Sequence, residues 1–247
     1  MLELRSVTKR FGGLVALADI TLRVEAGEIV GLVGPNGSGK STLFGVISGF
    51  LKPEAGRVLL LGKEITGLKP HRVARLGVGR TFQIVQPLPE FTCLDMVALG
   101  ILYAHGERSL QAARKAAREV LAEVGLADWW AARTAELTMV NLRRLELARA
   151  ISLRPKLLLL DEVFAGLTPA EVREATELIK RLKARHGFTV LMTEHIPAAI
   201  MGTCHRVVVL DQGRIIADGT PVEVARDPRV VEVYLGPGSA EGTHAGG

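Results

Sequence analysis

The sequence predicts an α/β fold with a mostly parallel sheet, an antiparallel β portion and an inserted α-helical subdomain. Short apolar runs recur at residues 29–33, 157–160 and 189–193, and helix-like segments lie between them. Strands that alternate with helices are typical of a parallel sheet, because a crossover helix returns the chain to the same edge. Residues 2–7 and 18–24 instead alternate apolar with polar side chains, which predicts half-buried strands of an antiparallel portion.

The composition indicates one large globular domain, or a core domain that carries a subdomain. The 247 residues are 48% hydrophobic and 23% charged, with a net charge of +5. Only 4% are aromatic and no block of consecutive basic residues occurs, so no nucleic-acid partner is expected. No apolar run approaches the roughly 18 residues of a membrane span, and the N-terminus lacks a signal-peptide pattern. We therefore expect a cytoplasmic chain that acts at a membrane only as a peripheral subunit.

A glycine-rich segment, GPNGSGKST, lies between the apolar run 29–33 and the helix-like residues 43–47. Four residues separate its first glycine from Gly-Lys-Ser, which is the P-loop pattern in its strand–loop–helix context. Glycines let backbone N–H groups approach phosphate oxygens, and the helix that follows directs its positive end at the same anion. A chance glycine-rich turn is the alternative. The predicted nucleotide-binding residues are Gly34, Pro35, Asn36, Gly37, Ser38, Gly39, Lys40, Ser41 and Thr42.

Three residues of this loop carry specific expectations. Lys40 can place a full charge at the β- and γ-phosphates, and Ser41 can ligate Mg²⁺. Thr42 can donate a hydrogen bond on the α-phosphate side. The sequence therefore predicts a site for a nucleoside triphosphate and Mg²⁺.

The segment after the loop continues the β portion and then becomes irregular. Residues 52–56 predict a turn, residues 57–61 a strand and residues 70–75 a helical turn. Residues 77–83 are expected to be extended, and the prolines in residues 84–91 predict an irregular, exposed piece.

Residues 92–154 have a helical pattern. Asp95 is expected to cap a helix over residues 96–103, and Ser109 to cap a second helix that ends near Gly125. Trp129 and Trp130 are expected to pack in the core rather than in an interface. The two cysteines, Cys93 and Cys204, lack metal-ligand spacing and are expected to be reduced.

The remaining elements have clear terminal signals. Thr168, Pro169 and Glu171 form a capping-box pattern at the start of a long helix. Residues 207–210 and 214–217 flank a turn and predict a hairpin. Residues 236–247 lack apolar periodicity and are expected to be disordered.

Two carboxylates follow the apolar run 157–160 directly. Asp161, at the end of a buried strand downstream of a P-loop, is the Walker B arrangement and would hold Mg²⁺ through water. Glu162 lies where it can orient and deprotonate an attacking water, which is the role of a general base. The sequence LLLLDE of residues 157–162 is by itself equally consistent with an ordinary strand end. Together with the P-loop it becomes a strong signal.

With these motifs the chain resembles the ATP-binding subunits of ABC transporters over residues 1–235. Gln83, after Arg80-Thr81-Phe82, falls at the Q-loop position, and His195 at the switch position. The resemblance implies that Gln83 senses Mg²⁺ and water, that His195 contacts the γ-phosphate, and that Phe11 stacks on adenine. From the residues alone, Phe11 is equally consistent with a packed loop aromatic. A lone histidine after a strand, such as His195, is more often a structural residue.

The resemblance also implies roles and boundaries. Catalysis would rest on Lys40, Gln83, Glu162 and His195, and the metal on Ser41, Gln83 and Asp161. Residues 1–91 and 155–235 would form the P-loop NTPase (ABC ATPase) core, and residues 92–154 the helical subdomain. Residues 84–91 would face a transmembrane permease. The strings TLFGVISGFLKPEAGRV, RLGVGRTFQIVQPLPEFTCLDMVALG and DPRVVEVYLG resemble the ATP-binding subunits of branched-chain amino acid (Liv-type) importers.

One segment departs from the family pattern. The family signature, of LSGGQ or LSYGQ type, should begin at Leu137, where this chain has LTMVN. In the family this segment caps the ATP held by the opposite subunit. Val140 replaces a glycine, so its β-branched side chain should obstruct close approach and disfavour a left-handed backbone. Val163 replaces a proline, a change that the sequence does not explain. The residues predicted to face the partner's ATP are Thr138, Met139, Val140 and Asn141.

These observations leave several functional hypotheses. The first is an importer ATPase that works as a heterodimer, because a homodimer would have two sites capped by the altered signature. The second is a binding module that holds ATP but hardly hydrolyses it, which Val140 favours and Glu162 disfavours. The third is a soluble ABC ATPase that acts on nucleic acid or ribosomes. Such proteins usually have two ATPase halves or long coiled-coil insertions, and this sequence shows neither.

Overall fold

The computed structural model describes residues 1–82, 88–106 and 109–235. Its strands are β1 (Leu2–Phe11), β2 (Leu14–Val24), β3 (Ile29–Val33), β4 (Ala55–Leu60), β5 (Lys63–Glu64), β6 (Val78–Arg80), β7 (Leu157–Asp161), β8 (Thr189–Thr193), β9 (Arg206–Asp211) and β10 (Arg214–Gly219). Its α-helices are α1 (Lys40–Ile47), α2 (Pro70–Arg75), α3 (Cys93–His105), α4 (Leu110–Glu123), α5 (Met139–Ser152), α6 (Pro169–His186), α7 (Pro197–Thr203), α8 (Pro221–Ala225) and α9 (Pro228–Leu235). Two 3₁₀ helices are Ala127–Trp129 and Thr134–Glu136.

The first compact unit contains Met1–Leu68 and the described residues from Leu191 onward. Its antiparallel sheet has the order β2-β1-β4-β5, with Leu2 opposite Val24 and Phe11 opposite Leu14. In the same unit β3 pairs in parallel with β9, which forms an antiparallel hairpin with β10. The predicted antiparallel portion, the P-loop strand and the hairpin are therefore confirmed.

The second compact unit is Lys69–Val190, so the boundary between the units falls within β8. Its strands β6 and β7 pair in parallel, with Val78 opposite Leu157. Helix α4 buries Ala113, Ala117 and Leu121 on one stripe, the spacing expected of an amphipathic helix. Every residue of β7 is buried, as a strand covered on both faces requires.

Two of the predicted helix caps are confirmed. The backbone N–H of Thr168 donates to the Glu171 carboxylate at 2.7 Å, and the Glu171 N–H donates to the Thr168 hydroxyl at 3.4 Å. The Ser109 hydroxyl accepts a hydrogen bond from the Ala112 N–H at 3.1 Å. Such caps satisfy N–H groups that have no partner within the helix.

The cap predicted at Asp95 is wrong. Helix α3 begins three residues earlier, and the Thr92 hydroxyl accepts from the Asp95 N–H at 3.1 Å. Asp95 instead lies in the first turn, where its carboxylate pairs with Arg114 at 2.8 Å. Threonine and aspartate both cap helices well, and three residues separate them here, so the sequence allowed either start.

The tryptophan prediction is also wrong. Trp129 and Trp130 are 37% and 40% exposed, rather than core residues. The Arg118 guanidinium lies 4.3 Å from the ring centroid of Trp130, so α4 covers one face of that ring with a cation. Phe11 is the last residue of β1 rather than part of a loop. Both cysteines are free, as expected, and both are buried.

No helix among residues 1–82, 88–106 and 109–235 is long and apolar enough to cross a membrane. The predicted tail, residues 236–247, and Gln83 lie outside the described residues.

Candidate functional site

The glycine-rich segment forms a tight loop between β3 and α1 in the first unit. Gly39 is the N-cap residue of α1 and has a left-handed backbone with φ of +109°. A Cβ on Gly39 would lie 2.5 Å from the Ala16 carbonyl oxygen, and one on Gly34 would lie 2.0 Å from the Leu210 carbonyl oxygen. Both positions therefore require glycine, because real Cβ atoms do not approach a backbone oxygen so closely.

The inner surface of this loop presents hydrogen-bond donors. The Ser38 hydroxyl is buried and has no hydrogen-bond partner among the described residues. The Lys40 ammonium group donates to the carbonyl oxygens of Gly34 and Pro35, at 2.7 and 2.9 Å, so it lies across the loop. A buried hydroxyl without a partner is costly, and an anion in the loop would supply the acceptor. The loop therefore fits a phosphate group.

The other loop residues are more accessible. Asn36, Gly37 and Ser41 are exposed, and Thr42 is half-buried. The loop is fixed from behind, because the Gly213 N–H donates to the Ser38 carbonyl oxygen at 2.9 Å. The turn between β9 and β10 thus supports the predicted phosphate site.

Tyr234, on α9, reaches the same loop and was missed by the sequence analysis. Burial raises the pKa of its phenol, and a hydrogen bond with the Gly34 backbone opposes that rise. Gly34 and Tyr234 are 200 positions apart, and no local pattern marks the tyrosine. The C-terminal helix is therefore in contact with the first glycine of the loop.

The remaining predicted residues of the first unit lie on its surface. Phe11 is 47% exposed, and the Lys9 ammonium lies 5.2 Å from its ring centroid. His195 is exposed and follows β8, and its backbone N–H donates to the buried Glu194 carboxylate at 3.3 Å. Both side chains are accessible to a ligand, and the contact of each with a nucleotide stays a prediction.

Asp161 ends β7 in the second unit and is 5% exposed. Its Oδ2 accepts a hydrogen bond from Arg80 Nη2 at 3.0 Å. Its backbone N–H donates to the Thr81 hydroxyl at 3.0 Å. Arg80 and Thr81 were marked in the sequence only as neighbours of Gln83, and neither contact with Asp161 was predicted.

Glu162 has a strained backbone. Its φ of +48° lies in the left-handed region, which residues other than glycine, asparagine and aspartate rarely adopt. Its side chain is half-buried. Strain of this kind persists where the surrounding structure fixes a side chain in one direction, and it clusters at functional sites.

The signature segment begins α5. The Thr138 hydroxyl caps the helix by accepting from the Asn141 N–H at 3.3 Å, and Met139 is 58% exposed. Val140 is the second helical residue, and its φ is not positive. The strain expected from a left-handed backbone at Val140 is therefore absent, because a helical residue does not need that conformation. Obstruction of close approach by its side chain stays a prediction.

Both departures from the family pattern line one small cavity. Its volume is about 50 Å³, and its walls include Val140, Val163, Leu160, Leu178 and Ile179. Val140 and Val163 thus line the same small cavity within the second unit, together with the charged residues Arg143, Arg144, Glu171 and Glu174. This placement gives Val163 a structural setting that the sequence did not provide.

The segment predicted to face a permease is described only from Leu88 onward. Leu88 and Phe91 are exposed by 45% and 36%. The Leu88 carbonyl oxygen accepts from the Thr134 hydroxyl at 2.8 Å, and the Thr134 N–H donates to the Phe91 carbonyl oxygen at 3.0 Å. The end of this segment therefore presents apolar side chains from a fixed backbone.

Comparisons with known proteins show which family the chain resembles. A family model described as ABC transporter matches residues 17–165, and one described as branched-chain amino acid ATP-binding cassette transporter matches residues 214–236. The chain is 39% identical to the high-affinity branched-chain amino acid transport ATP-binding protein BraF of Pseudomonas aeruginosa, over 96% of this chain and 98% of BraF.

Solved structures of ATP-binding cassettes are similar to this chain. MJ1267, an ATP-binding cassette of an ABC transporter in its ADP conformation, aligns with a TM-score of 0.86 and 32% identity, over 96% of this chain and 98% of its own. The cassette MJ0796, in a dimeric post-hydrolysis state bound to ADP and Pi, aligns with a TM-score of 0.81 and 26% identity, over 90% of this chain and 99% of its own.

Proposed function

This chain belongs to the ABC transporter family of ATP-binding proteins and is an ATPase of that family, and we propose that it powers a branched-chain amino acid importer. The solute class is supported by the match of residues 214–236 and by the similarity to BraF. The observation that carries ATP binding is the loop of residues 34–42, with its two obligatory glycines and its buried Ser38 hydroxyl.

In this proposal the loop holds the phosphates. Backbone N–H groups and the start of α1 supply the partial positive charge that an anion requires. Lys40 already lies across the loop through two carbonyl oxygens, and it exchanges these for phosphate oxygens when ATP binds. The Ser38 hydroxyl then gains an acceptor.

The exposed Ser41 hydroxyl and the buried Asp161 carboxylate are proposed, from the family pattern, as oxygen ligands of the type that Mg²⁺ prefers. Mg²⁺, when bound, neutralises charge on the phosphates. Gln83 stays a proposed ligand from the family pattern alone.

Glu162 acts as the general base in this proposal. Its left-handed backbone sets the direction of its Cα–Cβ bond, and its half-buried side chain starts at the end of the strand that carries Asp161. A carboxylate held in this way can orient water and accept its proton. His195, exposed after β8, is proposed to contact the γ-phosphate and Phe11 to stack on adenine.

The partners are a second ATP-binding subunit and permease subunits. The dimeric state of MJ0796 supports a dimer, and Val140 leads us to propose a heterodimer. A valine side chain at the start of α5 keeps a phosphate farther from the helix N–H groups than glycine would. The permease is proposed to dock near residues 84–91, where Leu88 and Phe91 are exposed, with this chain on the cytoplasmic face of the membrane.

The test is ATP turnover by the purified chain, alone and mixed with a second ATP-binding subunit. We expect turnover in the mixture, lowered roughly 10²–10⁴-fold by Glu162→Gln, because a general base contributes about that factor. Normal transporter turnover by the chain alone would contradict the heterodimer. ATP binding without turnover in either sample would instead identify a regulatory module. Val140 would then be the first residue to test as the cause of the missing turnover.

A further inference from the structure

Arg80 and Asp161 form a buried ion pair in the second unit. The two side chains are 13% and 7% exposed, and Nη2 of Arg80 lies 3.0 Å from Oδ2 of Asp161. Breaking a buried pair by removing one partner leaves a charge uncompensated, so the pair is a firm contact. The carboxylate proposed to hold Mg²⁺ is therefore already engaged by a cation of its own chain.

The backbone fixes this contact. Strands β6 and β7 pair in parallel with Arg80 opposite Leu159, and the Thr81 N–H donates to the Leu159 carbonyl oxygen at 2.9 Å. The Thr81 hydroxyl accepts from the Asp161 N–H at 3.0 Å. Arg80 is thus presented to Asp161 by a rigid pair of strands and does not reach it from a loop.

The same guanidinium contacts Phe82, two residues along the chain. Arg80 lies 5.1 Å from the Phe82 ring centroid, and Arg149 of α5 lies 5.8 Å from it. Cations within about 6 Å of an aromatic ring are attracted to its face. Phe82 therefore joins Arg80 to α5, the helix that begins with the signature segment.

The backbone of Phe82 is held by α5 as well. Its carbonyl oxygen accepts from Arg143 Nη1 at 3.5 Å. Glu146 is 3% exposed, and burial raises the pKa of its carboxyl, which Arg149 and a hydrogen bond with the Phe82 backbone oppose. Arg149 and Glu146 form an ion pair at 2.9 Å. The residue before Gln83 is therefore clamped by three charged side chains of one helix.

We infer that Arg80 is a positioning residue that competes with a divalent cation for Asp161 and transmits the outcome through Phe82 to α5. The inference rests on the proposed function, because it takes Asp161 as the metal-holding carboxylate. Without a divalent cation, Arg80 holds the Asp161 carboxylate in the orientation seen here. When a divalent cation takes the carboxylate, the hold of Arg80 on Asp161 weakens, and its contact with Phe82 changes with it.

The direction in which metal affinity changes when Arg80 is replaced distinguishes this role from a merely structural one. A positive charge that competes for the carboxylate lowers its affinity for a cation, so removal of the charge raises that affinity. A residue that only orients Asp161 would have the opposite effect, because its removal would disorder the ligand. Activity alone would fall in both cases.

The experiment measures Mn²⁺ binding in the presence of ADP, for the full chain and four variants. Arg80→Gln removes the charge, and Arg149→Gln is the matched control, because Arg149 also faces Phe82 and a buried carboxylate but is not paired with Asp161. Arg80→Lys keeps a charge but loses the planar group that contacts both Asp161 and Phe82. Asp161→Asn tests the metal assignment itself. Circular dichroism checks that each variant folds.

For Arg80→Gln we expect Mn²⁺ to bind about tenfold more tightly, because a competing charge is removed from a buried carboxylate. Arg149→Gln should change the affinity less than about twofold, since its charge is not paired with Asp161. Unchanged or weaker Mn²⁺ binding by Arg80→Gln would overturn the inference and leave the metal assignment of Asp161 intact. Unchanged binding by Asp161→Asn would overturn the metal assignment and the inference with it.

Hydrogen exchange of α5 tests the transmission, and Arg80→Lys keeps it testable if Arg80→Gln does not fold. In the unsubstituted chain, Mn²⁺ with ADP should change the exchange of the α5 amides relative to ADP alone. In Arg80→Lys this difference should disappear while Mn²⁺ still binds. A difference of the same size in Arg80→Lys would show that the signal does not pass through Arg80.

Discussion

Glu162 is the residue where backbone strain and proposed chemistry coincide. Its left-handed backbone costs about 1 kcal/mol for a residue with a Cβ. We expect Glu162→Gly to raise the free energy of unfolding by about 1 kcal/mol and to lower ATP turnover roughly 10²–10⁴-fold. Glu162→Gln should lower turnover as strongly with little change in stability. Chemical denaturation and a phosphate-release assay measure the two quantities.

Arg154 provides the matched control for this prediction. It is exposed and has the same φ of +48°, but it lies in the loop between α5 and β7, away from the proposed chemistry. Arg154→Gly should give the same gain in stability with turnover unchanged. Lower stability in Glu162→Gly than in the unsubstituted chain would mean that contacts of the carboxylate outweigh the strain.

The cysteines provide a second test at the scale of single residues. Burial raises the pKa of the Cys204 thiol to about 12, and the nearby Glu194 carboxylate adds to the rise. Burial also raises the pKa of Cys93. A raised thiol pKa means less thiolate at a given pH, so both should alkylate far more slowly in the native chain than in the unfolded one at pH 8. Rapid modification of Cys204 by iodoacetamide under native conditions would show that the surroundings of β3 and α7 open readily.

At the scale of elements, Val140 at the start of α5 packs against its neighbours and is also proposed to lower ATP turnover. Val140 lines the cavity shared with Val163, so Val140→Gly removes buried apolar surface and places glycine in a helix. We expect the free energy of unfolding to fall by about 1–2 kcal/mol. We also expect ATP turnover of the heterodimer to rise, because a phosphate could approach the helix more closely.

Met139→Gly is the control for that change. Met139 is the adjacent helical residue and is 58% exposed, so its replacement carries the helix cost of glycine with little loss of burial. Met139→Gly should destabilise the chain less than Val140→Gly does. ATP turnover of the mixture should be lower with Met139→Gly than with Val140→Gly. Equal destabilisation by the two variants would mean that the Val140 side chain contributes nothing to packing.

Element boundaries set by local chemistry were predictable. Helix α2 and strands β3 and β8 begin and end where the sequence analysis placed them, because proline, threonine and apolar runs mark their limits. The start of α3 was wrong, since Thr92 and Asp95 both carry good capping groups. The prediction that Trp129 and Trp130 are buried was wrong. Their burial depends on which distant elements pack against them, and the periodicity of the sequence does not contain that information.

At the scale of the whole molecule, the family and the loop were predictable, and the contacts between distant positions were not. The P-loop is a contiguous pattern of glycines, whereas the Arg80–Asp161 pair joins residues 81 positions apart. The cavity shared by Val140 and Val163 and the approach of Tyr234 to Gly34 arise only once the chain has folded. The predicted limits of the helical subdomain, residues 92–154, stay a prediction.

The most direct test of the account is equilibrium ATP binding by calorimetry, comparing the unsubstituted chain with Lys40→Ala. Lys63→Ala is the control, because Lys63 is an exposed lysine of the same unit on the short strand β5. We predict saturable binding of one ATP per chain, weakened about tenfold or more by Lys40→Ala and unchanged by Lys63→Ala. Equal affinity in Lys40→Ala would contradict a phosphate site in the loop of residues 34–42, and with it the proposed function.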